Sequence, residues 1–221
     1  MNKVYASLAA MLKDIGFIKS KSKKNVFYRE LNDVIVSFSI NSPSNSVYLQ
    51  FDIHPLYIPS DKVFYYRFGC RLNDMFSDLL YLHKDDEEQY VKTWCKCAKD
   101  HILNDLLPLG ESISTAEGFR DYLRLHRKQR DYNIINCSSV ELNRFIVYLQ
   151  AYLHHRFKAA LISSKFFRCL FKSHYPPKGK KEKFKEMISF IIAELFLSNR
   201  RVSLMFEKMK TDNRNFIKYG K

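Results

Sequence analysis

Val34, Val36, Phe38 and Ile40 alternate with Ile35, Ser37 and Ser39, and after residues 41–46 the same period of two returns in Val47, Leu49, Phe51 and Ile53 against Tyr48, Gln50, Asp52 and His54. A period of two sends alternate side chains to opposite faces of a pleated strand, so each run is a strand with one apolar face. The stretch between them holds Asn, Ser and Pro in the manner of a turn and is far too short for the crossover that a parallel pair requires. The two strands are therefore antiparallel neighbours. Val26–Glu30 supplies a β-prone strand before them, and 63–72, aromatic-rich with Gly69 inside, suits a fourth strand with a bulge.

Outside this sheet the period is helical. Val4, Leu8, Met11, Leu12 and Ile15 share one helix face, and Gly16 follows where a left-handed terminating residue is favoured. Asp85 with Glu88 has the spacing of a capping box ahead of an inward face of Tyr90, Val91, Trp94, Ala98, Ile102 and Leu106, which runs up to Pro108. Ser114 with Glu117 marks the next start, with Phe119, Tyr122 and Leu123 inward. Ser138 with Glu141 marks another, with Leu142, Phe145, Ile146, Leu149 and Leu153 inward. The apolar pattern continues through Phe157, Leu161 and Phe167, with a break expected near Ser163 and Ser164, because a single helix over 139–172 would be long for a globular domain. Pro176, Pro177 and Gly179 halt any helix before a last amphipathic stretch that begins at Phe184. The expected fold is α+β: an N-terminal helix plus a four-stranded antiparallel sheet covered by helices over residues 1–125, and a basic, mainly helical region over 126–221 packed on it as one unit.

Hydrophobic residues make up 46% of the chain and aromatic residues 15%, enough for a true core. Met1 to Leu12 resembles the start of a signal peptide, but Lys13 and Asp14 stand where a cleavage site would be, so an amphipathic helix is expected there. Residues 188–199 are apolar but carry Glu194 and fall short of the roughly 20 residues that span a bilayer. The five cysteines are odd in number and irregular in spacing, which suits reduced thiols in the cytoplasm better than a disulfide framework.

Residues 154–221 carry 17 Lys and Arg against five Asp and Glu, whereas 1–153 carry 20 against 18, so most of the net charge of +14 is local. Lys165, Arg168 and Lys172 fall three and four apart, one ridge of a helix; Lys178, Lys180, Lys181, Lys183 and Lys185 follow, and Arg200 and Arg201 add to them. A surface of this kind concentrates an acidic protein partner or a nucleic acid. With phosphates it would bind in a salt-sensitive way, and Phe166, Phe167, Phe171 and Tyr175 could stack on unpaired bases. The competing expectation is a solvated lysine-rich face over an ordinary core.

Lys13-Asp14-Ile15-Gly16-Phe17, then Asn25-Val26-Phe27-Tyr28-Arg29-Glu30-Leu31, and after the hairpin Phe68-Gly69-Cys70-Arg71-Leu72, resemble the bacterial domain-of-unknown-function family 4304 over about residues 1–125. The resemblance implies an α+β sheet domain followed by helices and brings no reaction, cofactor or catalytic residue with it. Together with the charge it leads to the expectation of a non-catalytic binding module, with a protein partner in the manner of bacterial toxin-neutralising or conflict systems. Nucleic-acid binding through the basic region is the alternative.

Catalytic constellations fare worse. Cys95 and Cys97 stand two apart, and His154 and His155 adjacent, so each pair diverges on a helix, and neither is expected to bind metal; no cofactor is expected. Asp33 at a strand start and Asp52 on a later strand suggest a metal-dependent nuclease as a second alternative, although His54 stands where such sites place a lysine. No glycine-rich phosphate loop and no Gly-x-Ser-x-Gly elbow is present.

Overall fold

The computed structural model describes residues 3–58, 68–126, 139–154, 159, 185 and 199–219. The fold is α+β. Helix α1 (Lys3–Asp14) is followed by strands β1 (Ile18–Lys19), β2 (Val26–Glu30), β3 (Val34–Asn41) and β4 (Ser46–Pro55), then β5 (Phe68–Arg71), a single turn α2 (Leu72–Met75), and β6 (Leu82–His83). Helix α3 (Glu88–His101) runs through a π-helical turn (Ile102–Leu106) into α4 (Leu107–Ser112), and α5 (Ala116–His126), α6 (Ser139–Tyr152) and α7 (Asn199–Tyr219) complete the described elements.

Every described strand pair is antiparallel, in the order β1-β2-β3-β4-β5, with β6 pairing the start of β4. The sheet thus contains the four expected strands and two more of two residues each, too short to show a period in sequence. Phe38 lies opposite Phe51, and Phe17 meets Phe38 edge-on at 5.1 Å, so three rings pack on one face of the sheet. Helix α1 packs on β3 and on α3, and Gly110 lets α4 approach the Val36 side chain. Ile35 and Ser37, expected to face outward, are buried. At the end of α7, Arg214 and Lys218 pair with Glu30, the residue opposite Ile35.

Gly16 ends α1 with φ +86°, and the Phe17 amide donates to the Leu12 carbonyl, the left-handed closure expected there. Gly16→Ala should cost about 1 kcal/mol, lowering Tm by a few degrees, because a Cβ at that φ is strained even in open space. An unchanged melting temperature would show that the turn relaxes.

Three expected helix boundaries need correction. The Asp85–Glu88 capping box does not form: the Asp85 carboxylate accepts from Asn45 and that of Asp86 from the His83 amide, so α3 starts after Glu87 with no side-chain cap. Tyr90 is exposed, while Val91, Trp94, Ala98, Ile102 and Leu106 are buried as expected. The helix does not stop at Pro108. A π-turn precedes it, giving the proline ring room that a regular turn lacks, and Pro108 sits in the first turn of α4 where no amide donor is required. Finally, α5 is capped by Thr115, whose hydroxyl accepts from the Gly118 amide, while Ser114 is buried against Asn32.

The contact pattern divides the chain into a first unit of Met1–Pro55, Arg67–Asn136 and Arg214–Lys221, and a second of Leu56–Tyr66 and Cys137–Asn213. In the second, Tyr57 stacks on Tyr152 at 4.8 Å, Phe206 meets Tyr152 edge-on, and the Asn213 amide donates to the Leu56 and Ile58 carbonyls. Phe145 and Leu149 of α6 are buried there as expected, whereas Leu142, Ile146 and Leu153 are only half-buried and Val147, Tyr148 and Ala151 are buried instead. Helix α6 ends at Tyr152, well before the expected break at Ser163, with His154 at φ +58°, a left-handed stop of the kind usually given to Gly or Asn. Ser163 and Ser164 lie outside the described residues. No helix among those described is long and apolar enough to cross a membrane.

Candidate functional site

Of the expected basic site, Lys165, Arg168, Lys172, Lys178, Lys180, Lys181 and Lys183 lie outside the described residues. Lys185 is helical and exposed, and Arg200 and Arg201 are exposed in the first turn of α7.

A second cationic surface, which the charge count over the final third passed over, is built in the first unit by the β1–β2 connection. The Ser20 hydroxyl donates to the Ile217 carbonyl at 3.0 Å and accepts from the Ser22 and Lys23 amides, which fixes the tight turn that carries Lys21, Lys23 and Lys24. The Lys21 amide donates to the Lys218 carbonyl. Three of the ammonium groups lie over aromatic rings: Lys19 over Tyr5 at 5.8 Å, Lys21 over Tyr219 at 5.5 Å and Lys23 over Phe216 at 5.5 Å. Cation–π contacts hold such side chains in place without neutralising them. Burial lowers the Lys23 ammonium below its ordinary value, and Asp52 offsets part of that. Glu30 faces Arg214 and Lys218; burial raises its carboxyl, but the two cations outweigh that and leave it below the ordinary value. The signal in sequence was Lys19, Lys21 and Lys23 at alternate positions followed by Lys24, a run of extended rather than helical period.

The described residues also bring together a cluster that no sequence pairing anticipated. Asp78 stands in the turn after α2, which is held against α3 by the Trp94 indole donating to the Leu80 carbonyl at 2.7 Å and by the Asn73 amide donating to the Leu79 and Leu80 carbonyls. The Asp78 carboxylate accepts from the Cys97 thiol at 3.1 Å and meets His101 Nε2 at 2.8 Å. His101 Nδ1 meets the Asp105 carboxylate at 3.0 Å, and the Phe76 ring stacks on the imidazole, centroids 3.9 Å apart. Burial alone would lower the pKa of His101, but the two carboxylates outweigh it and raise it. The hydrogen bond to Asp78 pushes the Cys97 thiol up to about 11. Cys95, the residue that sequence had paired with Cys97, is a separate half-buried thiol.

Ser37 and His54 form a third polar contact, Oγ to Nε2 at 2.8 Å. Serine–histidine pairs of this length occur in nucleophilic catalysis, but Ser37 is only 2% exposed and no substrate carbonyl can reach its oxygen. Asp33 and Asp52 are not brought together. The register sets Asp52 opposite Ser37, four positions along β3 from Asp33, about 13 Å at strand rise. The Asp33 amide is engaged by the Ser114 carbonyl. Searches against protein-family models, curated proteins and solved structures find no match to this chain.

Proposed function

We propose that this chain is a non-catalytic binding module of the cytoplasm that takes an acidic protein surface as its partner, in the manner of the toxin-neutralising systems that the family resemblance implies. The observation that carries the reading is the lysine–aromatic surface of the first unit. Its cations are set by a hydrogen-bonded turn and by the end of α7, so little side-chain entropy is lost when a carboxylate-rich surface docks. An acidic protein suits it better than a nucleic acid because Tyr5, Phe216 and Tyr219 each have an ammonium over one face, which takes up the stacking face that an unpaired base would use. The cations near the rings are lysines, point charges that meet carboxylates one at a time, rather than arginines suited to bidentate phosphate contacts. The free thiols of Cys70, Cys95 and Cys97 agree with a reducing compartment.

Fluorescence anisotropy with a labelled polyglutamate peptide and with single-stranded RNA of equal charge tests the reading. The peptide should bind with an affinity that falls steeply with salt, and changing Lys19, Lys21 and Lys24 together to Glu should weaken it about tenfold or more. Tighter binding of RNA, abolished by changing Lys180, Lys181, Lys183 and Lys185 to Glu, would favour the nucleic-acid alternative instead. Binding of neither at low salt eliminates both.

A further inference from the structure

We propose that Asp78, Cys97 and His101 form a binding site for a divalent cation of the zinc class, with Asp105 as the residue that orients the histidine. One carboxylate oxygen, the thiol sulfur and an imidazole nitrogen lie within 4.8 Å of one another. Cys97 and His101 are one helical turn apart on α3 and so share a face, and Asp78 approaches that face from the turn fixed by Trp94 and Asn73.

The second observation is the state of the histidine. Its Nδ1 is engaged by Asp105, which leaves Nε2, the nitrogen that meets Asp78, to take the cation once it gives up its proton. A carboxylate on the far nitrogen of a ligating histidine is the usual outer partner of a metal site. Phe76 stacked on the ring fixes its plane. Asp105 lies inside the π-helical turn, and isolated π-turns within helices concentrate at functional positions.

The donor set identifies the ion. One sulfur, one nitrogen and one carboxylate oxygen suit zinc or cobalt, whereas magnesium and calcium take oxygen alone. Three protein ligands leave a fourth tetrahedral position for water or for a donor from a partner. In a tetrahedral site of this kind neighbouring ligand atoms stand roughly 3.3–3.6 Å apart, so the 2.8 and 3.1 Å contacts open by about half an ångström around the ion. The Asp78 side chain is 53% exposed and free to make that adjustment. Binding expels the thiol proton and the Nε2 proton of His101 to solvent; the cation then lies where those protons had joined sulfur and nitrogen to the carboxylate.

Cobalt titration of the reduced full chain gives the test. The expected result is one equivalent bound, with a thiolate-to-cobalt charge-transfer band in the near ultraviolet that zinc abolishes and magnesium does not. Cys97→Ser should remove the band while Cys95→Ser and Cys70→Ser retain it. Asp105→Asn should lower zinc affinity about 10–100-fold yet keep the band at saturation, which distinguishes an orienting residue from a ligand. Zinc should raise the Tm of the wild type and not that of Cys97→Ser; equal melting temperatures of the two without metal establish that the variant is folded. No band in the wild type, or a band that survives Cys97→Ser, overturns the proposal.

Discussion

Gly69→Ala is expected to cost about 4 kcal/mol, enough to unfold the first unit if its total stability lies at the low end of the usual range of about 5–15 kcal/mol. Gly69 lies opposite Asp52 in the β4–β5 pair, and a Cβ there would overlap the carbonyl oxygen of Phe51 and stand 2.8 Å from the Cα of Asp52. Both are backbone atoms. No rotamer change relieves the overlap, so β5 must move away from β4 and give up ladder hydrogen bonds. The edge-on packing of Phe68 against Phe119 at 5.2 Å, which ties β5 to α5, would be lost with it. Urea unfolding followed by circular dichroism measures the change, and a loss of under about 1 kcal/mol would mean that the two strands can separate without penalty.

Acid should destabilise the protein well above the pH at which carboxylates titrate, and His54 is the reason. Its burial, with the Lys23 ammonium nearby, pushes the imidazole down to about 3 from an ordinary 6.5. Between those values the unfolded chain binds a proton that the folded chain refuses, so stability is full above the unfolded pKa and falls as pH drops. One proton sets a limit of about 1.4 kcal/mol per pH unit, hence a loss on the order of 2 kcal/mol between about pH 7 and about pH 5. Glu30 is also held low, but its contribution is lost only further into acid, below its ordinary 4.5. His101 acts with the opposite sign: its raised pKa stabilises the fold below 6.5 and that share is lost as pH rises. His54→Gln retains a partner for the Ser37 hydroxyl and should flatten the slope between the two pH values. A wild type equally stable at both, or a variant with the same slope, would refute this origin.

The sheet was legible in the sequence because β3 and β4 show their period over 8 and 10 residues and β2 is β-prone, and Gly16 marked the end of α1 by the one backbone conformation that only it adopts cheaply. The two-residue strands had no period to read. Burial of Ile35 and Ser37 was hidden for a different reason: a period of two assigns faces to a strand and does not say whether the second face is also covered. The capping box at Asp85 failed because Asn45, on a distant loop, competes for the same carboxylate. Both candidate sites show this split. The cationic turn was visible as Lys19, Lys21 and Lys23 but not the rings beneath it, since Tyr5 and Tyr219 come from opposite ends of the chain. Of the metal-ligating cluster, Cys97, His101 and Asp105 recur every fourth residue and could have been found by reading helical rather than adjacent spacing. Asp78 could not, because only the turn pinned by Trp94 delivers it.

That the end of α7 pairs with Glu30 of the sheet has a consequence for biosynthesis. The strands from Ile18 to Pro55 are synthesised well before the end of α7, so the hydroxyl of Ser20 and the carboxylate of Glu30 wait for the much later Ile217 and Lys218. The nascent sheet therefore passes that interval of synthesis with one flank bare, and a chain cut before Ile217 would never complete it.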